Sequence, residues 1–238
     1  MVWLLDDDDP RFPPASRAEP DSSGLLALGG DYSVPRLVEA YAHGIFPWST
    51  YRGRISWHSP DPRFVLLREN WRVPKSLRRV LKAHPFEITV DRDFPAVIRA
   101  CAEAVRPPSD GDSWINPALR RGYVSLHEAG FAHSVEAWRD GRLVGGLYGV
   151  SIGPCFFGES MFHLEPDASK CAFATLAPAL FAAGCPFVDS QTRSSHMERF
   201  GAAFLSRADY LARLAAALRD PAPLDWAALA RRIYTAVR

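Results

Sequence analysis

The sequence predicts a mixed α/β protein of the α+β kind, and three observations carry that prediction. Strand-like and helix-like stretches alternate from about residue 86 to the end. Two strand-like runs, 132–138 and 143–151, meet at Asp140-Gly141, a two-residue hairpin signal that makes neighbouring strands antiparallel. Apolar residues make up 47% of the 238 positions and charged residues 23%, enough for a packed core of ordinary size.

Residues 1–24 are rich in Pro, Asp and Ser and read as an irregular arm. A helix starts at Val34-Pro35, with Leu37, Val38 and Tyr41 at helical spacing, and Gly44 stops it. The aromatic and Pro-rich stretches Ile45–Trp48 and Ile55–Arg63 read as rigid loop, and a small N-terminal domain is expected to end at residue 65. The larger domain, 66–238, begins with a helix over 75–82. There follow a strand over 86–91, a helix over 94–105, a polar loop over 107–112 and a helix over 117–129 ended by Gly130. After the hairpin come a strand over 155–162, a helix over 169–183, a strand over 186–191 and two helices over 208–218 and 224–237. The strands should form a central, antiparallel-rich sheet.

The net charge is +1, so any nucleic-acid contact must come from a local patch rather than from bulk charge. No apolar run has the length of a membrane span, and the start of the chain, with Asp6 to Asp9, is too acidic for a signal peptide. A cytoplasmic protein is expected. The four cysteines form no Cys-x-x-Cys pair and read as small buried apolar residues. The histidines, including His58, His127, His133, His163 and His196, show no metal-ligand spacing, and there is no phosphate-binding Gly-rich loop or nucleophile elbow. No metal and no cofactor are expected.

Three constellations could carry chemistry. Lys75, Arg78, Arg79 and Lys82 fall on one side of a helix and Leu77, Val80 and Leu81 on the other. Lys75 sits in the first turn, where the helix dipole disfavours a cation, which suits a phosphate partner, although a solvated face fits these residues as well. Glu159 stands among Phe156, Phe157, Met161 and Phe162; strand alternation puts Phe157, Glu159 and Met161 on one face. A carboxylate so surrounded marks either a pocket or a strand edge. Asp189 and Gln191 lie two apart at the end of an apolar strand and should share a face, where a carboxylate beside an amide can orient an amine.

The order of these pieces, with Gly24–Asp31, Gly44–Trp48, Ser59–Arg63, Trp114-Ile115, Leu126–Gly130, Ala132–Glu136, Leu143–Val150, Phe157–Phe162, Ala168–Lys170, Asp189–Gln191 and Phe200–Ala202, resembles the leucyl/phenylalanyl-tRNA–protein transferases over about nine-tenths of the chain. The resemblance implies a GNAT-like (acetyltransferase-like) C-terminal domain behind a small N-terminal one. It implies transfer of Leu or Phe from Leu-tRNA or Phe-tRNA to acceptor proteins with N-terminal Arg or Lys, marking them for N-degron degradation, by a monomer needing neither ATP nor metal. It places Asp189, Gln191 and Glu159 at the reacting centre: Gln191 on the attacking amine, Asp189 orienting Gln191, and Glu159 either on the acceptor's basic side chain or holding Gln191. Leu147, Met161, Phe173, Leu176 and Val188 would form the amino-acid pocket, Trp48 and Trp114 would flank the terminal adenosine, and Lys75, Arg79 and Lys82 would meet the acceptor stem. His58 stands where many members have a second Trp, Ser190 where Cys is common, and Leu147 where Met is frequent. An acetyl-CoA-dependent acyltransferase and a non-catalytic RNA-binding module are the competing readings; the first lacks the Gly-rich pyrophosphate loop such chemistry normally needs.

Overall fold

The computed structural model describes residues 2–21, 23–104, 114–219 and 222–236, so the polar loop expected over 107–112 lies outside the described residues. Two sheets organise the chain. The first has four strands, β1 (Trp3–Leu5), β2 (Leu25–Gly29), β3 (Phe46–Tyr51) and β4 (Arg54–His58), in the order β1-β2-β4-β3. Helix α1 (Val34–Ala42) connects β2 to β3. The second sheet has seven: β5 (Arg63–Leu67), β6 (Glu87–Val90), β7 (Ala132–Arg139), β8 (Arg142–Ile152), β9 (Cys155–His163), β10 (Phe187–Asp189) and β11 (Ala203–Leu205). Their order is β11-β5-β10-β9-β8-β7-β6, antiparallel throughout except for β9 against β10. The remaining helices are α2 (Lys75–Lys82), α3 (Phe94–Glu103), α4 (Pro117–Glu128), α5 (Ala168–Ala182), α6 (Ser195–Phe200), α7 (Arg207–Ala217) and α8 (Trp226–Ala236).

The α+β class and the antiparallel-rich sheet are as the sequence predicts. The loop reading of Ile45–Trp48 and Ile55–Arg63 is corrected: these residues supply the first half of β3, all but the first residue of β4, and the start of β5. Aromatic and β-branched residues favour a pleated surface, and β3 is a sheet edge, where Pro47 has no ladder N–H to lose. The arm over 1–24 is irregular only in part, because β1 pairs in parallel with β2. Buried Arg36 of α1 pins the arm by donating to the carbonyls of Asp6, Asp7 and Asp9 at 2.7, 3.0 and 2.9 Å.

Each face of the larger sheet has its own core. Phe157, Tyr148 and Val150 pack on one side with α1, α3 and α4, together with Leu26 and Trp57 of the four-stranded sheet. Phe156, Leu147 and Val135 pack on the other with α5 and α8. The N-terminal strands therefore bury themselves against the larger unit rather than around a centre of their own, and the boundary expected at residue 65 falls inside β5. Gly145 of β8 lets α5 approach: a Cβ there would lie 2.5 Å from the Ala168 Cβ and 2.9 Å from the Ser169 N. A glycine in a strand interior is where another backbone can come this close. All four cysteines are buried thiols, none in a disulfide.

Candidate active-site cleft

A cleft of about 1230 Å³ opens at one side of β9 and β10. Leu147, Met161, Phe173 and Val188 line it, and so do Glu159, Gln191, Trp48 and Trp114. Folding thus brings the apolar slot and the polar pair into one space, although they are spread from residue 48 to residue 191. Leu176 is the exception. It has no exposed surface and packs in the core behind the cleft, so α5 presents Phe173 to the slot and turns Leu176 inward.

Two lining residues owe their aim to β-bulges. In β9 the pairing with β8 steps from Tyr148↔Ser160 to Gly149↔Gly158, leaving Glu159 as the extra residue. In β3 the pairing with β4 steps from Pro47↔Trp57 to Ser49↔Ser56, leaving Trp48 as the extra residue. A bulge inserts one residue against one partner position and resets the alternation beyond it. The expected grouping of Phe157, Glu159 and Met161 on one face is therefore corrected: Phe157 packs with Phe162, while Met161 packs with Phe156. Simple alternation assumes an unbroken ladder, and the ladder breaks at the carboxylate.

Asp189 and Gln191 do not share a strand face either. β10 ends at Asp189, and Gln191 takes a left-handed backbone conformation with φ of 54°. The Asp189 side chain has no exposed surface. Its Oδ1 accepts from Arg63 Nε at 2.9 Å and from the Gln191 backbone N–H at 2.9 Å, and its Oδ2 accepts from Arg63 Nη2 and the Tyr210 hydroxyl, each at 2.7 Å. Burial works most strongly against the Arg63 charge, but the facing Asp189 carboxylate together with Tyr210 and Tyr41 offsets it and raises the guanidinium pKa. Asp189 is thus the anion of a closed, two-pronged ion pair. It sets the turn that carries Gln191 through the backbone, and no lone pair of it reaches the cleft unengaged.

The side chain of Gln191 is held from the other direction. Its Nε2 donates to Glu159 Oε1 at 3.3 Å, while the Tyr123 hydroxyl donates to Glu159 Oε2 at 3.2 Å and is itself hydrogen-bonded to the Tyr41 hydroxyl. Glu159 is thus in contact with Gln191, one of the two partners the resemblance implies for it. Burial pushes the Glu159 pKa up to about 7; the Tyr41 and Tyr123 hydroxyls oppose that rise, and the negative charge of Asp189 adds to it. A carboxylate that titrates near neutrality within a cleft is suited to proton transfer.

The sequence reading passed over Tyr41, Tyr123, Arg63 and Tyr210 as site residues. The two helical tyrosines carried a usable signal. Tyr41 follows Leu37 by four positions and Tyr123 follows Leu119 by four, so both point into the core, where a hydroxyl must find a partner. Arg63 and Tyr210 gave no local signal, since their partner is more than a hundred positions from one and 21 from the other. His58 hydrogen-bonds the Ser23 carbonyl at 2.8 Å and meets Trp48 edge-on with centroids 5.2 Å apart, supporting the rim tryptophan.

Lys75, Arg78, Arg79 and Lys82 are exposed along α2 with Leu77 buried beneath them, as expected, and none of them lines the cleft. Folding also gathers Asp91, His127 and His133, whose ligand-type atoms lie within 4.8 Å of one another. Their hydrogen bonds are already engaged within the trio and on backbone carbonyls: His133 Nδ1 meets Asp91 Oδ2 at 2.7 Å and its Nε2 faces the Gly130 carbonyl at 3.2 Å, while His127 Nδ1 faces the Ala132 carbonyl at 2.7 Å. A ring nitrogen turned to a carbonyl must donate, so the trio works as a clasp between strand and helix ends rather than as a set of converging lone pairs.

Comparison with known proteins gives a consistent result. The family profile described as leucyl/phenylalanyl-tRNA protein transferase matches residues 65–215, and the profile for the N-terminal domain of that transferase matches residues 30–61. The leucyl/phenylalanyl-tRNA–protein transferase of Myxococcus xanthus is 49% identical over 221 residues, covering 92% of this chain and 93% of that one. The protein of the same name from Nitratidesulfovibrio vulgaris strain DP4 is 51% identical over 220 residues, covering 92% and 93%. Among solved structures, a ribosomal-protein-alanine N-acetyltransferase from Brucella melitensis biovar Abortus 2308 matches 55% of this chain and 92% of its own at 16% identity, with a TM-score of 0.32. With both family profiles matched and about half of the aligned residues shared with these relatives, the chain belongs to the leucyl/phenylalanyl-tRNA–protein transferase family of aminoacyltransferases.

Proposed function

We propose that the cleft transfers Leu or Phe from an aminoacyl-tRNA to the α-amine of proteins that begin with Arg or Lys, as the committing step of an N-degron pathway in the cytoplasm, and that the protein acts as a monomer. The observation that carries this reading is the meeting of the apolar wall of Leu147, Met161, Phe173 and Val188 with the Glu159–Gln191 couple in one cleft. The amino-acid side chain enters the slot, where an unbranched Cβ can turn inward and the stiff χ1 of Ile or Val cannot. Trp48 and Trp114 flank the terminal adenosine. With its N–H on Glu159, Gln191 has its amide oxygen left to accept from the attacking amine. The amine adds to the ester carbonyl and its proton passes to Glu159; the C–O bond to the tRNA ribose then breaks as Glu159 returns that proton to the ribose oxygen, leaving an amide and free tRNA with its hydroxyl restored.

The choice of Glu159 over Asp189 as proton acceptor follows from matching. An α-ammonium group has a pKa of about 7.7–8.0, and Glu159, raised to about 7, is matched to accept its proton. Asp189 is already bonded on both oxygens. Glu103, an exposed carboxylate at the cleft rim, is the group we assign to the acceptor's basic side chain. Incubation with labelled Leu-tRNA, acetyl-CoA and a peptide beginning with Arg tests the reaction: leucine should appear on the peptide's N-terminus, and acetylation without leucylation would overturn it.

The basic face of α2 is proposed to hold the acceptor stem. Changing Lys75, Arg79 and Lys82 together to Glu should weaken tRNA binding about a hundredfold at low salt and flatten its salt dependence, because each phosphate contact contributes about 0.9 to the slope on duplex. Nitrocellulose binding between 50 and 200 mM salt, conditions that separate such slopes by orders of magnitude, measures this. An unchanged slope would show that the face is only solvated.

A further inference from the structure

The β3–β4 hairpin is used by the reaction only at its base. Phe46, Pro47 and Trp48 line the cleft, but every residue from Ser49 to Arg54 is exposed, and Tyr51 keeps 53% of its surface open. We propose that this tip, through Tyr51, Arg52 and Arg54, binds the unpaired 3′ nucleotides of the tRNA next to its terminal adenosine. The inference rests on the reading of the cleft as the aminoacyl-adenosine site.

Four observations favour a single-stranded nucleic acid. The tip continues the cleft wall: Tyr51 lies three residues beyond Trp48, about 10 Å along the strand. It is cationic, with no Asp or Glu from Gly44 to Pro60, and among the described residues no ion pair engages Arg52 or Arg54. Its two-residue turn has φ of 50° at Arg52 and 75° at Gly53. Such turns favour Asn, Asp or Gly at the first position, and a left-handed Arg costs on the order of 1 kcal/mol, so the turn itself gives no reason for arginine there. Finally, the Arg52 guanidinium lies 5.3 Å from the centroid of the Tyr51 ring, so one exposed surface offers a π-face for a base and a charge for a phosphate.

The tip is also paired across its two strands. Tyr51 pairs with Arg54 and Thr50 with Ile55, and the Ser49 and Ser56 hydroxyls hydrogen-bond at 2.9 Å. A binding element already in its bound shape loses little entropy on contact. An acidic protein segment would use the two arginines but not the aromatic, which is why the nucleic acid is the favoured occupant.

The test compares equilibrium binding of intact uncharged tRNA with tRNA trimmed of its unpaired 3′ nucleotides. Arg52→Ala with Arg54→Ala should weaken intact tRNA about tenfold and make its salt slope shallower by about 1.4, two single-strand phosphates at about 0.7 each. Tyr51→Ala should weaken it about tenfold. Binding of trimmed tRNA should not change in either variant, and Arg52→Lys with Arg54→Lys should retain most of the affinity, which separates lost charge from lost folding. Equal losses on intact and trimmed tRNA, or no loss on either, would overturn the proposal, as would a rise confined to the KM of the acceptor peptide. Failure of the wild-type enzyme to use 3′-O-leucyl-adenosine is a different result: it would count against the cleft reading and leave the binding comparison standing.

Discussion

Glu159→Gln should leave tRNA binding within about threefold of the wild type and lower kcat for leucyl transfer by roughly a hundredfold or more, the range for removal of a general base. The substitution is nearly isosteric: its amide oxygen can accept from Gln191 Nε2 while its NH2 group donates to the Tyr123 hydroxyl, so the polar couple keeps its shape while losing its proton acceptor. Single-turnover transfer to an Arg-initiated peptide, with tRNA affinity measured in parallel, separates the two effects. A kcat loss below about fivefold would show that the proton goes elsewhere.

A second large effect is expected on stability. Arg63→Met removes the cation from a carboxylate with no exposed surface, leaving Asp189 with only the Tyr210 hydroxyl and the Gln191 backbone N–H. Breaking one side of a buried ion pair costs about 3–5 kcal/mol, because the remaining charge stays buried without its partner. Asp189→Asn added to Arg63→Met removes that charge and should recover a substantial part of the loss. Urea unfolding of the single and double variants measures both. A cost under about 1 kcal/mol for Arg63→Met, or full additivity in the double variant, would contradict the closed ion pair. The same arginine also reaches the Gly44 carbonyl at 3.2 Å, so its loss should loosen the joint between α1 and the larger sheet.

The sequence made the long elements of the larger unit readable. The helix over 94–103, the hairpin at Asp140-Gly141 and the helix over 168–182 rest on local periodicity and turn chemistry, which do not depend on distant partners. The hairpin of β3 and β4 was not legible, because Pro47 and the dense aromatics mimic a rigid loop and only the edge position of β3 makes Pro acceptable there. The site was legible as a set of residues more than as a geometry. Glu159, Asp189 and Gln191 drew attention as carboxylates and an amide in apolar runs, but their directions depended on a bulge and on a left-handed turn that alternation cannot foresee. Leu176 sits at a helical position compatible with either wall or core, and only packing decides between them. Arg63 and Tyr210, which determine what Asp189 can do, reach it across the fold rather than along the chain.

The titration of Glu159 itself is the most direct test. Glutamate side-chain carboxyls labelled with carbon-13 can be followed by NMR from pH 4 to 9 in the wild type and in Glu159→Gln, and the one resonance lost on substitution belongs to this residue. With its pKa pushed up to about 7 by burial, that resonance should stay protonated in mildly acidic solution and move near neutrality. A midpoint at about 4.3, that of a glutamate in water, would leave the cleft without a matched acceptor and contradict the mechanism.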